Sequence, residues 1–329
     1  MTKDTLLDVR NLRKYFDVGK GQTVKAVDSV SFTIERGEIL GLVGESGCGK
    51  TTLGRVIKLL YPASAGQIFF EGKPLTGCDY GSKKAYAKKA QMVFQDPYSS
   101  LDPRMTVGEI IAEGMLIHGM HSAGTRKERV VELLETVGLN QEHINRFPHE
   151  FSGGQRQRIG IARALALDPI FLVCDEPISA LDVSIQAQII NLFKELKDRL
   201  QLTYLFIAHD LSMVKYISDR VAVMYLGKIV EITESQKLYE KPLHPYTEFL
   251  LSAIPIPNPR IEAIRPHIPP GNDMPDPINL PDGCTFYSRC KYRIDSCKQS
   301  DMALTAVEEG HFTACTRVQK GMRLCLQQN

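Results

Sequence analysis

Continuous apolar runs alternate with helix-spaced apolar positions along most of the chain, and their order predicts an α/β fold. Ile39–Val43, Ile170–Cys174 and Tyr204–Ala208 are apolar throughout. Strands buried on both faces of a parallel sheet read this way. Leu53, Val56, Ile57 and Leu60 follow the first run at helical spacing, and Ile185, Ile189, Leu192, Phe193, Leu196 and Leu200 follow the second. Between them, Val107–Met115, Glu128–Val137 and Gln155–Ala166 carry the same period, so a helical insert is predicted from Asp96 to about Leu165. Near the N-terminus, Leu6–Arg10 and Val24–Glu35 read as strands. Gln67–Glu71, between Gly66 and Gly72, reads as a hairpin arm, which makes a small antiparallel layer beside the core.

Composition changes this picture near Lys241, because 11 of the 18 prolines fall between Pro242 and Pro281. That density forbids long helices and favours a semi-rigid connector. The chain therefore divides into residues 1–240 and a smaller unit at 241–329. A length of 329 residues, 43% hydrophobic and 24% charged, suits a large domain plus a small one. The net charge of +2 gives no mandate for nucleic acid. No window approaches about 18 uninterrupted apolar residues, and Met1-Thr2-Lys3-Asp4 lacks the apolar stretch of a signal peptide. The expectation is a cytoplasmic protein that touches the membrane only through partners.

Candidate chemistry sits at the ends of the apolar runs. Gly44-Glu45-Ser46-Gly47-Cys48-Gly49-Lys50-Thr51 fits G-x-x-x-x-G-K-[ST] between a predicted strand and a predicted helix. Glycines there let consecutive N–H groups face phosphate oxygens, and the helix N-terminus adds partial positive charge. Lys50 is expected to reach the β- and γ-phosphates of ATP, and the Thr51 hydroxyl, followed by Thr52, to ligate Mg²⁺. Asp175-Glu176 ends the second run, where parallel strands line a ligand crevice. Asp175 is placed to hold Mg²⁺, and Glu176 is the candidate general base toward the attacking water.

Ser152-Gly153-Gly154-Gln155 opens a third predicted helix. With this stretch between the phosphate loop and the acidic pair, the chain resembles the ATPase subunit of an ATP-binding-cassette (ABC) transporter. The resemblance implies a P-loop NTPase core, RecA-like, whose sheet is mostly parallel. It also implies a small antiparallel β subdomain and an inserted helical subdomain bearing the signature serine and glycines. It further implies roles for single residues: Gln95 toward Mg²⁺ and water, Asp182 in the loop after the acidic pair, His209 at the γ-phosphate, and Phe16, or Tyr15, stacked on adenine. Ser152, Gly153, Gly154 and Gln155 would complete the ATP site of a second cassette.

Cys284, Cys290, Cys297 and Cys315 are the other strong signal, four of the chain's 8 cysteines close together beyond the prolines. Cytoplasmic disulfides are disfavoured, so metal binding is the better reading of such a cluster. Four thiolates suit a [4Fe–4S] cluster or Zn²⁺, with free thiols as the third possibility. This tail cannot bury much core of its own, and the ATP chemistry is expected in a separate core. His244-Pro245-Tyr246-Thr247, Phe94-Gln95-Asp96-Pro97-Tyr98 and the cysteine tail resemble oligopeptide/dipeptide permease ATPases, and Val183-Ser184-Ile185-Gln186 their second ATPase. That resemblance favours the cluster. It implies a subunit energising peptide import from the cytoplasmic face of the membrane, paired with a second ATPase and two permeases and served indirectly by an extracytoplasmic peptide-binding protein. An importer of nickel or another solute, and a soluble nucleic-acid-associated cassette ATPase, are the other readings. Ile178 and Phe151 depart from the family's usual residues without removing a chemical group.

Overall fold

Alternate residues of the buried strands go to opposite faces of one large sheet, and this division organises the computed structural model, which describes residues 4–254 and 275–322. The sheet is built from Ile39–Val43 (β3), Ala90–Val93 (β6), Phe171–Asp175 (β7), Thr203–Ile207 (β8), Arg220–Tyr225 (β9), Lys228–Glu234 (β10), Thr305–Glu308 (β11) and His311–Thr313 (β12). Their order is β11-β12-β10-β9-β3-β8-β7-β6. Strands β6, β7, β8, β3 and β9 run parallel, whereas β10, β12 and β11 add on antiparallel, so the sheet is mixed. Ile39, Val43, Leu172 and Cys174 join one apolar cluster, and Leu40, Leu42, Phe171 and Val173 join the other. Every residue of β3, β7 and β8 is buried, as their unbroken apolar runs require.

A second, four-stranded antiparallel sheet covers one face. It contains Thr5–Asp17 (β1), Thr23–Glu35 (β2), Ala65–Phe70 (β4) and Lys73–Pro74 (β5) in the order β2-β1-β4-β5. Strand β1 runs well past the predicted Leu6–Arg10, because pairing with β2 carries it on to Asp17 opposite Thr23. Helix Lys50–Ile57 (α1) stops before the predicted Leu60, which is exposed; Leu59 has already turned to φ +60°. Helix Tyr80–Lys89 (α2) has no strong apolar stripe to announce it. It is capped by Asp79, which accepts from the Ser82 N–H at 2.7 Å, and it buries only Tyr86.

The predicted helical insert is present as Val107–Ile117 (α3), Ala123–Thr136 (α4) and Gly153–Leu165 (α5). Thr106 and Glu109 close a reciprocal cap at the start of α3, which satisfies two otherwise orphaned N–H groups. Helices Val183–Leu200 (α6), Leu211–Ile217 (α7), Ser235–Glu240 (α8) and Pro245–Ser252 (α9) complete the outer layer. Among the described residues no helix is long and apolar enough to cross a membrane. Much of the proline-rich stretch, and Cys325, lie outside the described residues.

The tail is joined to the core by more than strand pairing. Glu231 on β10 is fully buried, and its carboxylate accepts from the backbone N–H groups of Leu243 (2.8 Å) and His244 (2.9 Å) and from the Thr247 hydroxyl (2.5 Å). His311 Nε2 on β12 lies 2.7 Å from the same carboxylate. One side chain thus binds α9, its leading turn and β12 to the core sheet. Glu231→Leu leaves these groups buried without an acceptor. It is expected to cost about 3–5 kcal/mol in chemical denaturation and to raise protease cleavage beyond Lys241. An unchanged denaturation midpoint would refute the role.

Candidate active site

Four parallel strands, β3, β8, β7 and β6, end side by side, and their carboxyl ends bring the expected polar residues together. Strand β3 runs into the loop Gly44–Gly49, and α1 leaves it at Lys50. Gly49 has φ +108°, and a Cβ there would stand 2.0 Å from the Ala26 carbonyl oxygen; one at Gly44 would stand 2.2 Å from that of Met224. Neither position has room for a side chain. No side chain caps α1 at Gly49, so its first-turn N–H groups suit an anion. Lys50 is buried, with Nζ donating to the carbonyls of Gly44 (2.8 Å) and Glu45 (3.0 Å). The loop's own oxygens hold that charge at the mouth of the helix.

Thr51 Oγ1 donates to Asp175 Oδ1 at 2.8 Å across the gap between α1 and β7. Asp175 is almost wholly buried, and its Oδ2 has no hydrogen-bond partner. Burial pushes this carboxyl upward from the ordinary aspartate range, against the Thr51 hydrogen bond and the nearby Arg55 and Lys50. A buried oxygen without a donor, beside a threonine hydroxyl, fits a hard divalent cation.

Glu176 follows Asp175 with φ +44°, an unusual backbone for a non-glycine residue. Its Oε2 accepts from Gln95 Nε2 at 2.9 Å and lies 3.3 Å from His209 Nδ1. Gln95 stands two residues past β6 and His209 two past β8, on either side of β7. Parallel pairing therefore delivers all three to one point.

A cavity of about 480 Å³ lies over the loop, lined by Ser46, Gly47, Gly49, Lys50, Thr51, Thr52, Gln95 and Glu176. Phe16 also lines it, whereas the Tyr15 hydroxyl donates to Asp28 at 2.6 Å. The lining also includes Lys25, Leu226, Gly227, Pro277 and Leu280, which sequence reasoning did not single out. Pro277 and Leu280 come from the tail, as do two further contacts to the loop: the Glu45 N–H donates to the Tyr246 hydroxyl at 2.8 Å, and the Glu45 carboxylate pairs with Arg289. The expectation that the ATP chemistry sits apart from the tail is corrected by these contacts. No local signal marks them, since Glu45 and Arg289 are 244 positions apart.

Ser152, Gly153, Gly154 and Gln155 do not line this cavity. Ser152 Oγ accepts from the Gln155 N–H at 3.3 Å, and Gln155 Oε1 accepts from the Ser152 N–H at 3.0 Å, which closes the cap of α5. Asp182 is an exposed residue at the start of α6, and its side chain makes no cap.

Cys284, Cys290, Cys297 and Cys315 all line one small cleft beside His244, and none of them forms a disulfide. Burial pushes Cys284 up to about 12 and Cys290 up to about 11, reinforced by the neighbouring cysteines. The thiol set suits iron–sulfur or zinc chemistry. The ligating arrangement expected of it is not formed, for among the described residues no three His, Cys, Asp or Glu side chains are grouped to hold a metal ion.

Known proteins resemble this chain. The ABC transporter family matches residues 27–179, and the family described as "Oligopeptide/dipeptide transporter, C-terminal region" matches residues 230–297. The oligopeptide transport ATP-binding protein OppF of Bacillus subtilis is 56% identical over 96% of this chain and 98% of its own. The putative oligopeptide transport ATP-binding protein YkfD of the same organism is 55% identical over 96% of both. Among solved structures, the dimeric ATP-binding cassette MJ0796 bound to ADP and Pi superposes with a TM-score of 0.64 at 27% identity, over 70% of this chain and 99% of that one. The chain belongs to the ABC-transporter ATPases of the oligopeptide/dipeptide family, and is an ATP-hydrolysing subunit that energises peptide import.

Proposed function

We propose that ATP occupies the 480 Å³ cavity with its adenine toward Phe16, and that Glu176 acts as general base toward the hydrolytic water. The convergence of Gln95 and His209 on the single oxygen Oε2 of Glu176 carries this reading. Lys50 leaves the loop carbonyls for the β- and γ-phosphates, and α1 directs its free N–H groups at them. Thr51, Asp175 and Gln95 are the residues that would hold Mg²⁺, which when bound neutralises charge on the phosphoryl oxygens. Glu176 then takes a proton from the water, with Gln95 orienting that water and His209 facing the γ-phosphate.

Ser152–Gln155 lie away from this chain's own phosphate loop, which supports a head-to-tail pair in which they, with Asp182, close the ATP site of a second cassette. The cap of α5 engages the N–H groups of Ser152 and Gln155 and not those of Gly153 and Gly154, which suit an anion at that helix N-terminus. The dimeric cassette found among the structural relatives is consistent with such a pair. In the proposed assembly the second cassette is a different ATPase subunit and two membrane permeases are the driven partners. The pair works as a peripheral unit at the cytoplasmic face of the membrane, served indirectly by a peptide-binding protein on the far side.

Residues 1–240 form the ATP-binding unit in this reading, and 241–329 an extension stapled by a [4Fe–4S] cluster on Cys284, Cys290, Cys297 and Cys315. The four thiols on one cleft support it, with Zn²⁺ as the alternative for the same donor set.

Glu176→Gln keeps the shape of the base and removes its basicity. ATP binding is expected to persist in the assembled transporter while turnover falls by about 10²-fold or more; a wild-type rate would exclude Glu176 as the base. Ser152→Ala is expected to cripple hydrolysis at the partner's phosphate loop in mixed dimers while this chain still binds nucleotide. Loss confined to the mutant chain's own site would contradict the head-to-tail pair. Protein purified without oxygen is expected to be brown, with iron and acid-labile sulfide that disappear in Cys290→Ser. Colourless protein with stoichiometric zinc would replace the cluster by a zinc staple.

A further inference from the structure

We infer that Arg289, in the C-terminal extension, neutralises and anchors Glu45 of the phosphate loop, so that the extension is a working part of the nucleotide site. The inference rests on the reading of the Gly44–Thr51 loop as the triphosphate site.

A carboxylate inside a loop that must bind a polyanion is an electrostatic conflict. Glu45 follows Gly44 directly, and its backbone oxygen already holds Lys50 Nζ at 3.0 Å. Left free, its charge would lie beside the triphosphate and the lysine that serves it. The guanidinium of Arg289 removes that conflict with two parallel contacts, Nη1 to Oε2 at 2.7 Å and Nη2 to Oε1 at 3.0 Å. Such a fork fixes direction as well as charge.

Arg289 is committed to this partner by its surroundings. Its side chain is 4% exposed, and its guanidinium lies against the rings of Phe249 (5.1 Å) and Phe286 (5.8 Å). Burying a cation among rings is costly without a counter-charge, and Glu45 supplies one. Tyr246, also from the extension and fully buried, accepts the Glu45 N–H at 2.8 Å. All three polar groups of Glu45 are thus satisfied, two of them by residues beyond Lys241. Pro277 and Leu280 line the same cavity independently.

Arg289 is therefore a positioning residue that acts through Glu45, and its loss is an electrostatic injury to ATP binding. The test uses the full chain and a fluorescent methylanthraniloyl ATP with magnesium. Arg289→Gln is expected to weaken binding about fivefold or more, with the gap narrowing as salt is raised. Adding Glu45→Gln to Arg289→Gln is expected to restore affinity to within about twofold of wild type, because the charge that Arg289 neutralised is gone. Wild-type affinity in Arg289→Gln would overturn the inference. So would a double variant as weak as the single one, since the loss would then be one of packing. Should Arg289→Gln lack a cooperative unfolding transition, Glu45→Gln alone decides: binding at least as tight as wild type supports neutralisation, and several-fold weaker binding overturns it. Lys50→Ala is the control, and wild-type binding there would sink the triphosphate reading of the loop itself.

Discussion

Strand β3 is buried on both faces and held in parallel register between β8 and β9, and the site depends on that confinement. Leu40 lies opposite Leu205 on one side and Arg220 on the other, so the end of β3 cannot slip relative to its neighbours. A shift by one residue would send Leu40 and Leu42 into the wrong apolar cluster. The phosphate loop starts where β3 ends. Asp175 and Glu176 stand where β7 ends, one strand beyond β8 in the same sheet. The 2.8 Å contact from Thr51 to Asp175, and the meeting of Gln95 and His209 at Glu176, are consequences of this register.

The polar groups of the site are held short of satisfaction in ways that fit a charged ligand. Asp175 keeps one buried oxygen without a donor, α1 begins without a side-chain cap, and Lys50 rests on neutral carbonyls. Each has bonding capacity that suits phosphate or a divalent cation. Glu176 is different, because its backbone sits at φ +44° and its carboxylate is shared by Gln95 and His209. Strain at that position fits a residue whose placement matters more than its contribution to stability.

Two buried charged groups tie the extension to the core. Glu231 collects two backbone N–H groups, a threonine hydroxyl and a histidine from segments that follow it in sequence. Arg289 reaches in the opposite direction and meets the phosphate loop at Glu45. With β12 paired to β10, the extension is an outer part of the same sheet and the same site. The cysteine cleft lies next to both ties, since Cys290 follows Arg289 and His244 lines the cleft.

Much of this was legible in the order of residues. The runs Ile39–Val43, Ile170–Cys174 and Tyr204–Ala208 declared buried parallel strands, because only burial on both faces tolerates unbroken apolar sequence. The glycines, Lys50 and Thr51 declared a phosphate loop, because backbone curvature and charge at a helix start are local properties. Helix α2 was missed because its apolar positions form no stripe, and β1 was cut short because its far half is held by pairing with β2. The attachment of the extension could not be read locally, since Glu45 with Arg289 and Glu231 with His311 are contacts between residues far apart in the chain. Sequence determined which groups were present and what each could do. Tertiary structure alone decided that the tail's arginine would answer the loop's glutamate, because charge pairing depends on distance in space and the chain carries no local trace of it.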